Sequence, residues 1–204
     1  MDLKDTYNKI AKDWHQDHLN DSWWFGGVDK FVSFLKNGDA ILDVGCGAGH
    51  MSKYLIDKGM KVTGIDFSEE LIKIAQQDVP AGDFFVMDLN DVSELNQTFD
   101  GILLQAVLLH IPKKEVVEKV KNILKLLKPG GYVYIAVKET KPDQEDEKIE
   151  VENDYGYDYE RFFSYFTMDE MKNILKEVDL ELVYESVVPT HSNKRWLQVI
   201  GRKI

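Results

Sequence analysis

The sequence predicts an α/β protein built on a largely parallel sheet, and three observations carry the prediction. In ILDVGCGAG, Ile41 to Gly49, an apolar run leads directly into glycines at alternate positions, the pattern of a buried strand turning sharply into a helix. From there to Lys138, segments of strand period and helix period alternate, which signals parallel strands joined by crossover helices. A chain of 204 residues supplies one well-buried core and is short for two, so residues 1–204 are expected to form a single domain.

Each element has its own signal. Leu3, Tyr7, Ile10, Ala11 and Trp14 recur at helical spacing, so residues 3–19 predict a helix. A second helix is expected from Val28 to Leu35, and residues 1–36 together read as a helical cap before the sheet. Ala40, Ile41, Leu42 and Val44 suit a central strand. A helix over 50–58 is stopped by Gly59, a strand follows over 61–65, and Ser68 caps a helix over 69–78. Strands are expected over 83–87 and 99–105. A helix over 113–127 begins after Pro112 and ends at Pro129, Gly130 and Gly131, ahead of a strand over 132–138. Right-handed crossovers bring the carboxyl ends of such strands to one edge. Residues 140–160 are the one candidate for disorder, because KPDQEDE, Lys141 to Glu147, contains nothing to bury. The wider segment 139–166 reads as an acidic loop, or a lid that orders on binding. Thr167 with Glu170 three residues on is a capping-box pattern, opening a helix to Val178. Strands over 180–188 and 195–202 are close enough to pair as an antiparallel hairpin.

Charge narrows the partners. The net charge of −11 opposes attraction to phosphate backbones and anionic membranes, so nucleic acid is not expected as a substrate. From 138 to 160 there are ten acids against three lysines, so −7 of the total lies in one segment. Cys46 is the only cysteine, which rules out an internal disulfide, suits a reducing compartment and reads structurally as a small buried filler. The opening MDLKDTYNK has charges where a signal peptide needs an apolar core, and no apolar run approaches a membrane span. A cytoplasmic location is expected.

The glycine segment is where chemistry should sit. Gly45, Gly47 and Gly49 let backbone approach a ligand without Cβ clashes. Asp43, an acid inside the apolar run, is costly to bury without a hydrogen bond, so it is expected to reach the glycine loop or a cationic ligand group. A dinucleotide fingerprint, GxGxxG, would need a third glycine where His50 stands. Asp66, ending the strand KVTGI, is at the right distance for a carboxylate that grips a ribose diol. Nucleoside binding is therefore expected, with a ligand other than an ordinary dinucleotide.

Five segments in order resemble the motifs of the class I S-adenosylmethionine (SAM)-dependent methyltransferases, over nearly all of the chain. ILDVGCGAG matches the first motif, GIDFS (Gly64 to Ser68) the second, FVMDLND (Phe85 to Asp91) the third, FDGILLQAVLLHIP (Phe99 to Pro112) the fourth, and LKPGGYVYIAVKE (Leu127 to Glu139) the strand beyond. Tyr7, Trp14, Arg161 to Phe166 and Trp196 are similar to features of small bacterial members. The resemblance implies a Rossmann-like, doubly wound sheet of seven strands, mostly parallel, with the C-terminal hairpin antiparallel. It implies SAM as cofactor and S-adenosylhomocysteine (SAH) as product. The methionyl end would meet Gly45, Cys46, Gly47 and the carbonyl of Gln105, and Asp66 would take the ribose hydroxyls. Asp88, with Leu89 beside it, would accept from the adenine amino group, or cap a short helix instead. Phe67 and Met87 would cover the adenine faces, or be core.

For the acceptor, His110 is the candidate catalytic residue, as a general base or as a residue shaping the pocket. Tyr7, Trp14, Lys138, Arg161, Tyr165 and Trp196 are candidates to line the acceptor pocket, or to pack. His15 and His18 are three apart on the first helix, a weak metal spacing, and no catalytic metal is expected. The leading expectation is transfer to a small molecule. RNA or protein methylation, and a SAM-binding regulatory protein without turnover, are the alternatives; oligomeric state is left open.

Overall fold

The computed structural model describes residues 2–190 and 195–204. Its helices are α1 (Leu3–His18), α2 (Phe25–Val32), α3 (His50–Asp57), α4 (Glu69–Asp78), α5 (Lys113–Leu124) and α6 (Met168–Glu177). Its strands are β1 (Ala40–Val44), β2 (Lys61–Asp66), β3 (Asp83–Val86), β4 (Phe99–Gln105), β5 (Leu127–Lys138), β6 (Glu147–Glu152), β7 (Tyr159–Ser164), β8 (Leu180–Pro189) and β9 (Arg195–Lys203). Seven of these form one sheet in the order β3-β2-β1-β4-β5-β9-β8.

β1 pairs in parallel with β2 on one side and β4 on the other, Leu42 lying opposite Thr63 and Ile102. The chain therefore winds away from β1 in both directions, and the reversal leaves a crevice at the carboxyl ends of β1 and β4. β9 runs antiparallel between β5 and β8, as the hairpin reading expected. Helices cover both faces because β1 and β4 are apolar on both: Val116, Val120, Ile123, Met171 and Leu175 of α5 and α6 pack on one side. Val28 and Phe31 of α2 with Leu55 of α3 pack on the other.

Four expectations need correction. The acidic segment is not loop throughout: residues 140–146 and 153–158 are turns and irregular chain, but β6 and β7 pair antiparallel, Ile149 opposite Phe162. Two of its acids are paired with cations, Asp146 with Lys113 of α5 at 3.0 Å and Glu152 with Arg161 of the partner strand β7 at 2.5 Å. α2 starts three residues early, at Phe25, because the Gly27 backbone presses against Gln198 and Tyr134 of the sheet, where a side chain would clash. α5 ends at Leu124, since Leu127 already pairs with Phe99; the Pro-Gly-Gly turn falls inside β5 as an irregularity. Asp43 does not reach the glycine loop. It accepts a hydrogen bond from Ser52 Oγ at 2.6 Å, and Asp66 reaches the loop instead.

The capping box at Thr167 forms as read: Thr167 Oγ1 accepts from Glu170 N at 3.1 Å, and Glu170 Oε2 accepts from Thr167 N at 2.7 Å.

Candidate active site

The crevice is floored by the loop after β1. Gly45 and Gly47 have φ of +67° and +54°, the left-handed region that side chains avoid. A Cβ at Gly45 would lie 2.6 Å from Val107, and one at Gly47 would lie 3.3 Å from the Trp14 ring, so the loop is closely overlaid as well as sharply turned. Cys46 N donates to Ile65 O at 3.0 Å, tying the loop to β2. At the end of β2, Asp66 accepts from Gly47 N at 3.0 Å with one oxygen and from Ser68 N at 2.8 Å with the other. Each oxygen keeps a second acceptor site, so the carboxylate is held in place and can still take a diol.

Burial governs the acids of this crevice. It pushes Asp43 up to about 7, against the pull of the Ser52 hydroxyl and with the charge of Asp66 adding to the rise. It pushes Asp66 up to about 6, against the Ser68 and Gly47 amides. Asp88 accepts from Asn90 N at 2.8 Å, capping a 3-10 turn over Leu89–Leu95, and its side chain also borders the crevice with Phe67 and Leu89. Met87 stands outside the main cavity. It lines a smaller neighbouring one of about 380 Å³ with Phe67 and Asp88, and packs on the core. Gln105, at the end of β4, points a buried Oε1 that accepts no hydrogen bond. A buried acceptor left open at a cavity wall is a place for a ligand donor.

The main cavity, about 980 Å³, runs from the loop to a chamber roofed by α1 and β7. α1 is strapped down at several points: Thr6 Oγ1 donates to Glu160 O at 3.1 Å, and Asn8 Oδ1 accepts from Ser68 Oγ at 2.8 Å. His50 Nε2 and His15 Nδ1 lie 2.9 Å apart, and His15 Nε2 is 3.3 Å from Asp78. This pairing occupies His15 and His50 with each other, and Trp14 stacks on His18 with centroids 4.3 Å apart. Among the described residues no three His, Cys, Asp or Glu side chains are arranged to hold a metal.

A chain of polar contacts crosses the chamber. His110 Nδ1 lies 2.8 Å from the Phe162 carbonyl, which can only accept, so Nδ1 carries the proton. Nε2 is then the acceptor, taking the Tyr7 hydroxyl at 2.8 Å. Arg161 Nη1 donates to the Tyr7 oxygen at 3.3 Å, and its remaining edge grips Glu152 at 2.5 and 2.6 Å. Burial, with help from the positive charges of Arg161 and Lys138 and against the Phe162 carbonyl, takes His110 down to about 3. Burial also raises the Tyr7 hydroxyl.

The cavity brings together Tyr7, Trp14, Asp43, Gly45, Cys46, Gly47, Asp66, Phe67, Asp88, Leu89, Gln105, His110, Lys138, Arg161 and Trp196. Tyr165 is not among them: its hydroxyl donates to Glu150 at 2.7 Å. Sequence reasoning missed Trp23 and Trp24 in the wall and Glu152 behind Arg161. SWWF has no period to read, and nothing in sequence spacing pairs Glu152 with Arg161.

A glycine loop at the reversal of a parallel sheet, with an acid gripping it from the next strand, defines a nucleoside-binding α/β domain; two further acids, Asp43 and Asp88, and the open acceptor of Gln105 ask for a ligand that carries positive charge. The methyltransferase domain family matches residues 11–185. The chain belongs to that family, among the class I SAM-dependent methyltransferases. The ubiquinone biosynthesis O-methyltransferase of Xylella fastidiosa is 29% identical over 159 residues, 66% of this chain and 64% of the relative. That of Chromobacterium violaceum is 34% identical over 115 residues, 53% of this chain and 47% of the relative. The chain thus spans between 47% and 64% of the length of these curated relatives. Among solved structures, a SAM-dependent methyltransferase from Methanosarcina mazei superposes with a TM-score of 0.71 at 25% identity, covering 84% of this chain and 95% of that one. The fold is also shared with 1,6-didemethyltoxoflavin-N1-methyltransferase of Burkholderia thailandensis, with a TM-score of 0.78 at 22% identity, covering 98% of this chain and 87% of that one. No described helix is long and apolar enough to cross a membrane.

Proposed function

We propose that the protein transfers a methyl group from SAM to a small-molecule acceptor. The observation that carries this is one cavity of about 980 Å³ with an acidic donor cradle at one end and a roofed chamber at the other. Bound in the cradle, SAM supplies an electrophilic methyl on a sulfonium, and displacement at that carbon leaves the electron pair of the broken bond on sulfur. Gly45, Gly47 and Gln105 would hold the methionyl end, Asp66 the ribose, and Asp88 with Phe67 the adenine. Asp43, Asp66 and Asp88 suit a ligand with an ammonium and a sulfonium, and would repel a diphosphate. His50 at the start of α3 and Trp14 over Gly47 also oppose a dinucleotide.

The protein's work is orientation and exclusion of water, which supply up to about 7–11 kcal/mol in well-aligned reactions. Tyr7 and His110 serve to orient the acceptor; His110, neutral at physiological pH, presents Nε2 only as a hydrogen-bond acceptor. α1 and the β6–β7 ribbon act as the lid. A roofed chamber and an acidic surface favour a small acceptor over RNA or a protein, and the chamber itself favours an enzyme over a SAM-binding regulator. The O-methyltransferase and N-methyltransferase names of the similar proteins are consistent with ring-bearing acceptors. The charge balance and lone buried cysteine suit the cytoplasm.

Calorimetry against SAH and NAD tests the reading. SAH binding in the micromolar range with no NAD binding is expected; a preference for NAD would overturn both cofactor and activity.

A further inference from the structure

Glu152 lies on β6 and is not part of the cavity lining, yet the polar contacts of the chamber begin with it. Its two carboxylate oxygens take Arg161 Nε at 2.5 Å and Nη2 at 2.6 Å. Each of the two side chains is only 14% exposed, so the pair is largely closed off from bulk water. The guanidinium is boxed by the rings of Phe163 at 5.1 Å, Tyr159 at 5.7 Å and Tyr7 at 5.8 Å. With one edge of Arg161 fixed in this way, Nη1 donates to the Tyr7 oxygen at 3.3 Å. An arginine has no lone pair to offer, so the Tyr7 hydrogen turns away from it and meets His110 Nε2 at 2.8 Å. Nε2 is free to accept because the one imidazole hydrogen sits on Nδ1, bonded to the Phe162 carbonyl at 2.8 Å. Tyr7 comes from α1, Arg161 and Phe162 from β7, and His110 from the turn after β4, so one carboxylate orders the donors and acceptors of segments far apart in the chain.

We propose that Glu152 is a positioning residue: acting through Arg161, it keeps the Tyr7 hydroxyl donating to His110, so that Tyr7 offers the docked methyl acceptor an oxygen lone pair and no hydrogen. This rests on the reading of the chamber as the acceptor site, whose wall includes Tyr7, His110 and Arg161. Two effects of Glu152 act together. Its paired bonds are directional, and they hold Nη1 against Tyr7 where a singly bonded side chain would rotate. Its charge offsets that of Arg161, which alone would be a buried cation and would either turn to water or draw the proton off Tyr7. The two charges push the Tyr7 hydroxyl in opposite directions, Arg161 toward ionisation and Glu152 away from it. The consequence falls on the attacking atom. A Tyr7 hydrogen aimed into the chamber would bond the acceptor's lone pair and compete with the sulfonium methyl for it. Held on His110, that hydrogen leaves the lone pair free to attack, while the Tyr7 oxygen can still accept a hydrogen carried by the attacking atom and orient it.

The experiment reads the His110 imidazole nitrogens by nitrogen NMR, in the free protein and with SAH added. Failure of the parent to bind SAH would remove the methyltransferase reading, whereas the nitrogen shifts test Glu152 whether or not SAH binds. In the parent, Nδ1 is expected to carry the hydrogen and Nε2 to be a hydrogen-bonded imine, and Tyr7→Phe supplies the Nε2 position without that bond. Glu152→Ala is expected to move Nε2 more than half of the way to the Tyr7→Phe position. Glu152→Gln keeps one oxygen for Arg161 but loses the charge, and should move it a smaller distance the same way. Glu150, directly opposite Arg161 in the ribbon, is bonded to Lys148 and Tyr165 instead, so Glu150→Gln should leave Nε2 in place. An unmoved Nε2 in a folded Glu152→Ala protein would overturn the proposal; if that variant does not fold, an unmoved Nε2 in Glu152→Gln does so. A displacement in Glu150→Gln as large as in Glu152→Gln would also overturn it, because any lost negative charge would then serve as well.

Discussion

Replacing Asp43 with asparagine is expected to stabilise the ligand-free protein and weaken its hold on SAM, two opposite consequences of one buried charge. Asp43 is 1% exposed, and burial lifts it from 3.8 to about 7. Each step of ten in acidity is worth about 1.36 kcal/mol, so ionising Asp43 in the empty fold costs up to ~4 kcal/mol relative to the unfolded chain. Because the folded protein holds this proton more tightly, its contribution is fully present below pH 3.8 and is lost as pH rises through about 7. Roughly 2.5 kcal/mol of that loss falls between pH 5 and pH 8. Asparagine keeps an acceptor for Ser52 and cannot ionise, so the stability difference between variant and parent should grow by that amount over the same range. Against a total stability of about 5–15 kcal/mol this is easily measured by urea unfolding at several pH values without ligand. In parallel, SAH titration at pH 8 should show weaker binding in the variant, which has lost a negative charge beside the ligand's ammonium. A stability difference that stays flat with pH, or a variant less stable at every pH, would refute the argument that burial dominates this acid.

Asp66→Ala is expected to weaken SAH binding by about 10–100-fold, since it removes a charge-assisted anchor and loosens Gly47; unchanged affinity would deny Asp66 the ribose. In the parent, SAH affinity should decline as pH falls through about 6, where Asp66 takes up a proton, and a pH-independent affinity would contradict that role. His110→Ala should lower turnover modestly and leave the pH profile unaltered, because burial keeps the imidazole neutral far below pH 6.5. A loss of about 10²–10⁴-fold with a displaced pH profile would identify a general base instead. Amide exchange should slow in α1 and in the β6–β7 ribbon when SAH binds, and unchanged exchange in both would reject the lid.

How far the sequence could be read depended on whether the deciding contact was local. The strand and glycines of Ile41 to Gly49, the caps at Ser68 and Thr167 and the alternation up to Lys138 are local, and the sheet follows from them. The ribbon is not legible from the charge summed over the segment, because Lys113 of α5 pairs with Asp146 and Arg161 of β7 pairs with Glu152 across the ribbon. Ile149 and Val151 alternating with glutamates was a strand signal hidden under the charge count. α2 moved by three residues for a tertiary reason, the close approach of Gly27 to β5 and β9. In the site, the presence of two acids by the loop was legible, but which one grips it was not. That depends on Ser52 meeting Asp43 across the start of α3, a contact that spacing alone does not reveal.

The cavity is also divided along the chain. Every residue assigned to the cradle lies between Asp43 and Gln105, in the half of the sheet made by β1 to β4. Apart from α1, the 23–24 tryptophans and the segment around His110, the chamber is drawn from β5, β7, the end of β8 and the strand β9 that is inserted between β5 and β8. Donor and acceptor recognition are thus written in largely separate stretches. Substitutions after Lys138 can retune which molecule is modified while the loop, its gripping acid and the adenine wall stay intact. A library confined to positions 138, 161 and 196 would explore acceptor chemistry on an unchanged donor platform.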